Sequence, residues 1–239
     1  MAAGYFPGAF SVDLISGLPF QDERALLDDI NAVLGYVPAH VSFYALTLDP
    51  GTSLAAPLPS GDKADSLWLL GRDALEKAGY GQYEVSNFCL DGKGSRHNIG
   101  YWRMRGWLAL GPSASATIIS NETGSGFRYT IPPEVDRWLE AGGCGFSGDS
   151  GYRPLIEELD TQSLIKETIL MGFRYIEGPD EDLFRLRFAR GIGDFIPKTI
   201  EAWRSHGLFR KDKCALTKSG LLLLNRFLVD AFSELDVSL

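Results

Sequence analysis

Between residues 10 and 110 the chain switches repeatedly between short apolar runs with a repeat of two and longer stretches with a repeat of 3.6. This alternation restricts the fold more than any other feature. Residues 10–15 read as a strand, and 22–34 as a helix whose first turn carries Asp22 and Glu23, where acidic groups favour the positive end of the helix dipole. Residues 40–46 form the next expected strand, and a Pro/Gly/Ser loop follows at 49–61. A helix over 63–78 places Leu67, Leu70, Ala74 and Leu75 on one face, before expected strands at 82–85 and 107–110. Strand and helix in alternation predict an α/β fold, a parallel sheet with helices outside it and function gathered at the C-terminal ends of its strands.

The second part of the chain reads differently. GGCGFSGDSGYR, residues 142–153, cannot sustain either period and is the expected linker between a first portion, 1–141, and a helical C-terminal domain, 154–239. Helices are expected at 161–171, 180–188 and 196–206, then a hairpin over 208–216 and a helix from Thr217, an order resembling a winged helix. Pro197 suits a first helical turn, and His206-Gly207 a helix stop. Winged helices commonly bind DNA, and Lys218, Arg226 and the basic residues of 185–190 are the candidate phosphate contacts. Charge argues against that partner for most of the chain. Residues 1–160 hold 11 Lys and Arg against 20 Asp and Glu, and 161–239 hold 12 against 11. No nucleic acid is expected as partner.

The run QYEVSNFCLDGKGSRHNIGYW, 82–102, carries the densest chemistry. A helical turn starting near Ser95 puts His97 and Tyr101 on one face and Asn98 and Trp102 on the adjacent one, an imidazole, an amide and two rings around a small volume. Such a cluster suits a flat, partly charged ligand. It equally suits a buried, hydrogen-bonded histidine between two core aromatics. Asp13 is the other chemically conspicuous residue, a carboxylate in an otherwise apolar strand, costly unless paired; a structural ion pair would account for it. Met104 is a soft ligand or a gap-filler, while His40 and His206 have structural explanations.

These segments, in order, resemble the oxygen-independent coproporphyrinogen III oxidase-like family of radical S-adenosylmethionine (SAM) proteins. SVDLISGLPFQ (11–21) is similar to its DLIxGLPxQT segment, and HVSFYALTLDPGT (40–52) to its HxSxYxLTxExGT segment. YEVSNF and HNxxYW resemble its heme-chaperone branch in particular. WLALGPSASAT from Trp107, KETILMGFRYIEG from Lys166 and CALTKSGLLLLNRFL from Cys214 resemble later segments, so the resemblance covers nearly the whole chain.

The resemblance implies the C-terminal part of a radical SAM partial (β/α) barrel followed by a small winged-helix-like domain. Asp13, Tyr44 and Ala45 align with SAM-contacting positions, Gly17 and Pro19 shape the turn, and Gln21 sits on its rim. Ser115 falls on the SAM side, where the heme-chaperone branch has a histidine. His97, Asn98, Tyr101 and Trp102 become the candidate heme or porphyrin contacts, with His97 the candidate iron ligand. A full-length member holds SAM and a [4Fe–4S] cluster bound through CxxxCxxC. Here Cys89, Cys144 and Cys214 lie far apart, so no cluster ligands and no catalytic residues are expected, nor any activity by the chain alone. The Gly-rich stretch that follows the cluster loop is missing as well, and the chain reads as the C-terminal portion of a member. No cofactor is expected to stay tightly bound.

The expected function is heme binding for delivery to respiratory heme proteins. Two alternatives are radical decarboxylation of coproporphyrinogen III to protoporphyrinogen IX and an inactive remnant. The first strand, 10–15, would lack the neighbour it has in the longer family members and offer an edge for self-association. With 45% hydrophobic and 23% charged residues the chain can bury a core. It shows no basic leader before Asp13 and no apolar run long enough for a bilayer, and with three scattered cysteines a reducing cytoplasm is expected.

Overall fold

The computed structural model describes residues 2–49, 51–52, 57–141 and 152–238, which fall into two compact units, 1–96 and 97–239. After a short helix α1 (Ala2–Tyr5), the first unit builds a four-stranded sheet from β1 (Ser11–Ser16), β2 (His40–Ala45), β3 (Gly81–Gln82) and β4 (Asn87–Cys89), in the order β1-β2-β4-β3. β1 and β2 run parallel, with Ser11 opposite His40 and Ser16 opposite Ala45. Two helices, α2 (Glu23–Leu34) and α3 (Gly61–Lys77), cover one face. The Asp22 carboxylate caps α2 by accepting the Ala25 N–H at 2.8 Å, which ends the strand-to-helix turn where the acidic signal placed it. Leu26 and Ile30 of α2, Leu67 and Leu75 of α3, and Val41, Phe43 and Phe88 of the sheet form the core. α3 sits directly on Phe43, since a Cβ on Gly71 would lie 2.3 Å from the Phe43 Cζ.

Two expected strands do not form as parallel members. The run 82–85 reverses instead: β4 pairs antiparallel with both β2 and β3. Side chains close that turn, with Glu84 accepting the Ser86 N–H at 2.8 Å and the Gln82 amide donating to the Val85 carbonyl at 3.2 Å. Such local bonds compete with an extended strand. The run 107–110 contributes a single bridge, Trp107 to Thr117, and leaves Leu108 77% and Leu110 93% exposed. Gly111 and Ser113, at φ of 96° and 63°, turn the chain away from a continuous strand.

The second unit begins with α4 (Arg96–Trp102) and a three-stranded antiparallel sheet, β5 (Ser115–Ser120), β6 (Ser125–Thr130) and β7 (Leu155–Leu159). Residues 142–151 of the expected linker lie outside the described residues, and the strands on either side of it, β6 and β7, pair with each other. Tyr152, at its end, is 1% exposed and donates its hydroxyl to the Pro132 carbonyl at 2.6 Å. Between β6 and β7 lies α5 (Val135–Glu140).

The expected helices appear as α6 (Thr161–Gly172), α7 (Glu181–Phe188) and α8 (Pro197–Ser205), then α9 (Lys218–Leu222) and α10 (Leu224–Ser238). Asp160, Asp180 and Thr217 cap α6, α7 and α9, and Gly207 at φ 72° terminates α8. Phe173, Trp203, Phe209 and Phe227 centre this helical core. The candidate phosphate contacts are engaged within the protein: Arg185 pairs with Glu181 at 3.7 Å, Arg226 with Asp230 at 3.1 Å, and Arg187 is buried. No helix among the described residues is long and apolar enough to cross a membrane.

Candidate functional site

Alternation divides the first sheet into an apolar face and a polar one. Leu14, Val41, Phe43 and Phe88 point to the helices, so Ser11, Asp13 and Ile15, His40, Ser42 and Tyr44, and Asn87 and Cys89 share the opposite face. Register places Asp13, Ser42 and Asn87 in one row across three strands. The Asn87 Oδ1 is buried with no donor, and the amide is an acceptor awaiting a partner. Asp13 is exposed, contrary to the expected buried carboxylate, because β1 is an edge strand and water solvates the group in place of an ion pair. Tyr44 and Ala45 are exposed at the C-terminal end of β2.

His40 anchors this face structurally. Its Nδ1 lies 2.9 Å from the Ser11 hydroxyl and its Nε2 2.8 Å from the Tyr83 hydroxyl, which also accepts the Ser95 N–H at 3.3 Å. Burial lowers its pKa and outweighs the opposing pull of the Asp13 carboxylate. His206 likewise works locally, with Nδ1 2.7 Å from the Ala202 carbonyl at the end of α8. Met104 is 1% exposed and belongs to the core.

In the second unit, α4 brings the residues of the HNxxYW run into two groups rather than one volume, because positions 97/101 and 98/102 face different directions around the helix. His97 is exposed and meets Tyr101 edge-on, with ring centroids 4.7 Å apart and planes at 89°. Tyr101 packs on Trp107 at 4.6 Å, and the Trp107 indole donates to the Ser115 carbonyl at 2.9 Å. The Ser115 hydroxyl lies 3.0 Å from that of Thr130. A continuous line therefore runs from the His97 imidazole through two rings to Ser115. Trp107, expected within a strand, makes a single bridge to Thr117 of β5 and supports Tyr101.

Trp102 belongs to the other group. Its ring lies 5.0 Å from the Arg174 guanidinium carbon, and its indole N–H is buried without an acceptor. Asn98 is half-buried on the same side of the helix by spacing.

No group of three His, Cys, Asp or Glu among the described residues is placed to hold a metal ion. Burial pushes the Cys89 thiol up and the Cys214 thiol up to about 12, so neither is a thiolate at neutral pH, and Cys144 lies outside the described residues. These residues do not fit an iron–sulfur cluster.

Comparison with known proteins agrees with this architecture. The chain is 33% identical over 231 residues to the mitochondrial radical S-adenosyl methionine domain-containing protein 1 of Bos taurus, covering 92% of this chain and 49% of that protein. It is 28% identical over 225 residues to the heme chaperone HemW of Bacillus subtilis, covering 90% of this chain and 56% of that protein. Among solved structures, coproporphyrinogen III oxidase (HemN) from Escherichia coli, a radical SAM enzyme, superposes with a TM-score of 0.67 at 16% identity. That match covers 92% of this chain and 54% of the enzyme. No family model matches. The chain has a mixed α/β fold and belongs to the radical SAM proteins. Its homologues are radical SAM domain-containing protein 1 and the HemW heme chaperones, of which it spans about half the length.

Proposed function

We propose that this chain is the tetrapyrrole-handling portion of a cytoplasmic heme-chaperone-type protein, binding heme for transfer to respiratory heme proteins. The observation that carries the reading is α4: an exposed imidazole, His97, held edge-on by Tyr101 and backed by Trp107. An exposed imidazole can ligate heme iron, and the two rings offer apolar surface for the macrocycle. Asn98 and Trp102 flank this position along the helix. Titration of heme into the wild type and His97→Ala, following Soret absorbance and thermal midpoint together, tests it. Loss of binding at unchanged thermal midpoint supports ligation by His97, and equal affinity refutes it.

SAM fits the polar row of the first sheet. The Asp13 carboxylate and the orphaned Asn87 carbonyl are acceptors suited to its amino and hydroxyl groups, with Tyr44 and Ala45 at the adjoining strand end. A cluster held by a full-length family member would supply radical chemistry to SAM bound beside it; among the described residues Cys89 and Cys214 are not placed to hold one. Ser115 in place of an imidazole favours a second reading, the oxidase branch that converts coproporphyrinogen III to protoporphyrinogen IX; tighter binding of the porphyrinogen than of heme would distinguish it. We read β1, β2, α2 and α3 as part of a (β/α) barrel wall. α6 to α10 with the Phe209–Leu216 bridge are read as winged-helix-like, since their order matches that arrangement.

A further inference from the structure

The end of α4 and the turn between α6 and α7 lock together through two arginine–aromatic stacks. The Arg174 guanidinium carbon lies 5.0 Å from the Trp102 ring, and that of Arg103 lies 5.6 Å from the Tyr175 ring. The turn is held from both ends. A Cβ on Gly172 would strike Pro179 at 2.6 Å, and one on Gly178 would strike the Cys214 carbonyl at 2.1 Å, so the backbone carrying Arg174 packs as closely as glycine allows. At this junction two donors are shut off from solvent with no acceptor, the Trp102 indole N–H and the Arg174 Nε–H. Arg174 forms no ion pair among the described residues, and Glu177, the acidic residue of the same turn, pairs with Lys213. Buried N–H groups without acceptors are rare, and a half-buried guanidinium without a carboxylate is costly.

Two unpaired N–H donors at a junction that carries a positive charge suit a carboxylate, the anion that arginine favours. We propose that Trp102 and Arg174 form the binding site for a carboxylate of the ligand, specifically a propionate side chain of the tetrapyrrole whose iron or ring is offered to His97. This inference rests on the tetrapyrrole reading above. It assigns to Trp102 a polar role through its N–H, with Arg174 on its ring face, and adds Arg174, whose functional role sequence reading did not single out.

The test compares ferric heme, whose propionates are free, with its dimethyl ester, in which they are blocked. Each is titrated into the wild type, Arg174→Gln, Arg174→Lys and Trp102→Phe, following Soret absorbance, with thermal midpoints measured alongside. Losing one charge-assisted pair is expected to weaken binding about tenfold or more. The wild type should therefore bind heme at least about tenfold tighter than the ester, and Arg174→Gln should lose that preference while binding the ester as the wild type does. Arg174→Lys, which keeps the charge, should retain part of it, and Trp102→Phe, which keeps the ring but not the N–H, should reduce it. Equal affinity of the wild type for both ligands overturns the proposal without recourse to any variant. So does a variant series in which both ligands weaken together. Failure of the wild type to bind either ligand is a separate result, which overturns the tetrapyrrole reading itself.

Discussion

Replacing Gly71 by alanine should destabilise the first unit, although alanine is the better helix former. The new methyl carbon would stand 2.3 Å from the Phe43 Cζ, 2.6 Å from its Cε1 and 3.3 Å from the Ile30 Cδ1. Phe43 cannot swing aside freely, being fully buried between Trp68, stacked at 6.1 Å, and Phe88, edge-on at 6.5 Å. Overpacking costs about 1–3 kcal/mol, and so close an approach to a fully buried ring belongs at the upper end, about 2–3 kcal/mol. Against it stands a gain of about 1 kcal/mol in helix propensity. The net expectation is a loss of roughly 1–2 kcal/mol, or about 2–8 °C in thermal midpoint for a chain of this size. Gly100, in α4, is the internal control: a Cβ there meets nothing within 4 Å, so Gly100→Ala should be neutral or stabilising by up to about 1 kcal/mol. Urea and thermal unfolding of the two variants followed by circular dichroism make the comparison. A Gly71→Ala protein as stable as the wild type would refute the packing of α3 on Phe43.

Three further outcomes follow from the same geometry. His40 has its pKa lowered by burial, so as pH falls from the unfolded value of about 6.5 towards the folded one, the unfolded chain takes up a proton that the native state resists. Stability should decline through that window, and urea midpoints of His40→Gln should show a shallower decline; parallel profiles would contradict the assignment. Cys214, half-buried with its thiol pushed up to about 12, should resist alkylation in the native protein at pH 8 and react on unfolding, as peptide mapping can show; rapid native labelling would contradict the raised pKa. β1 presents an edge, and we expect concentration-dependent self-association in sedimentation velocity, with monomeric behaviour at all concentrations and exchange-protected Val12 and Leu14 amides counting against it.

What could be read from the sequence was set by local chemistry. Asp22, Asp160 and Asp180 cap helices by bonding backbone N–H groups three residues on, and Pro197 and Gly207 bound α8, so those elements emerged close to their observed limits. The reversal after β3 was hidden because Glu84 and Gln82 read as strand residues until their side chains are seen bonding the turn. Trp107, Leu108 and Leu110 look like a buried strand, yet only pairing with β5 decides that Trp107 alone is held. In the candidate site, the spacing of His97 and Tyr101 announced their contact, whereas the Trp102–Arg174 stack joins elements distant in sequence, for which no periodicity gives a signal. Asp13 misled for a related reason, since its exposure depends on β1 standing at an edge.

The chain contains three histidines, His40, His97 and His206, and this permits a direct test of ligation by His97. With the imidazole rings isotope-labelled, nuclear magnetic resonance can follow each ring as gallium protoporphyrin IX, a diamagnetic stand-in for heme, is added. Ligation by His97 predicts that its ring resonances shift to those of a metal-bound imidazole while those of His40, bonded to Ser11 and Tyr83, and of His206, bonded at the end of α8, stay in place. Binding of the porphyrin with the His97 resonances unmoved would contradict it.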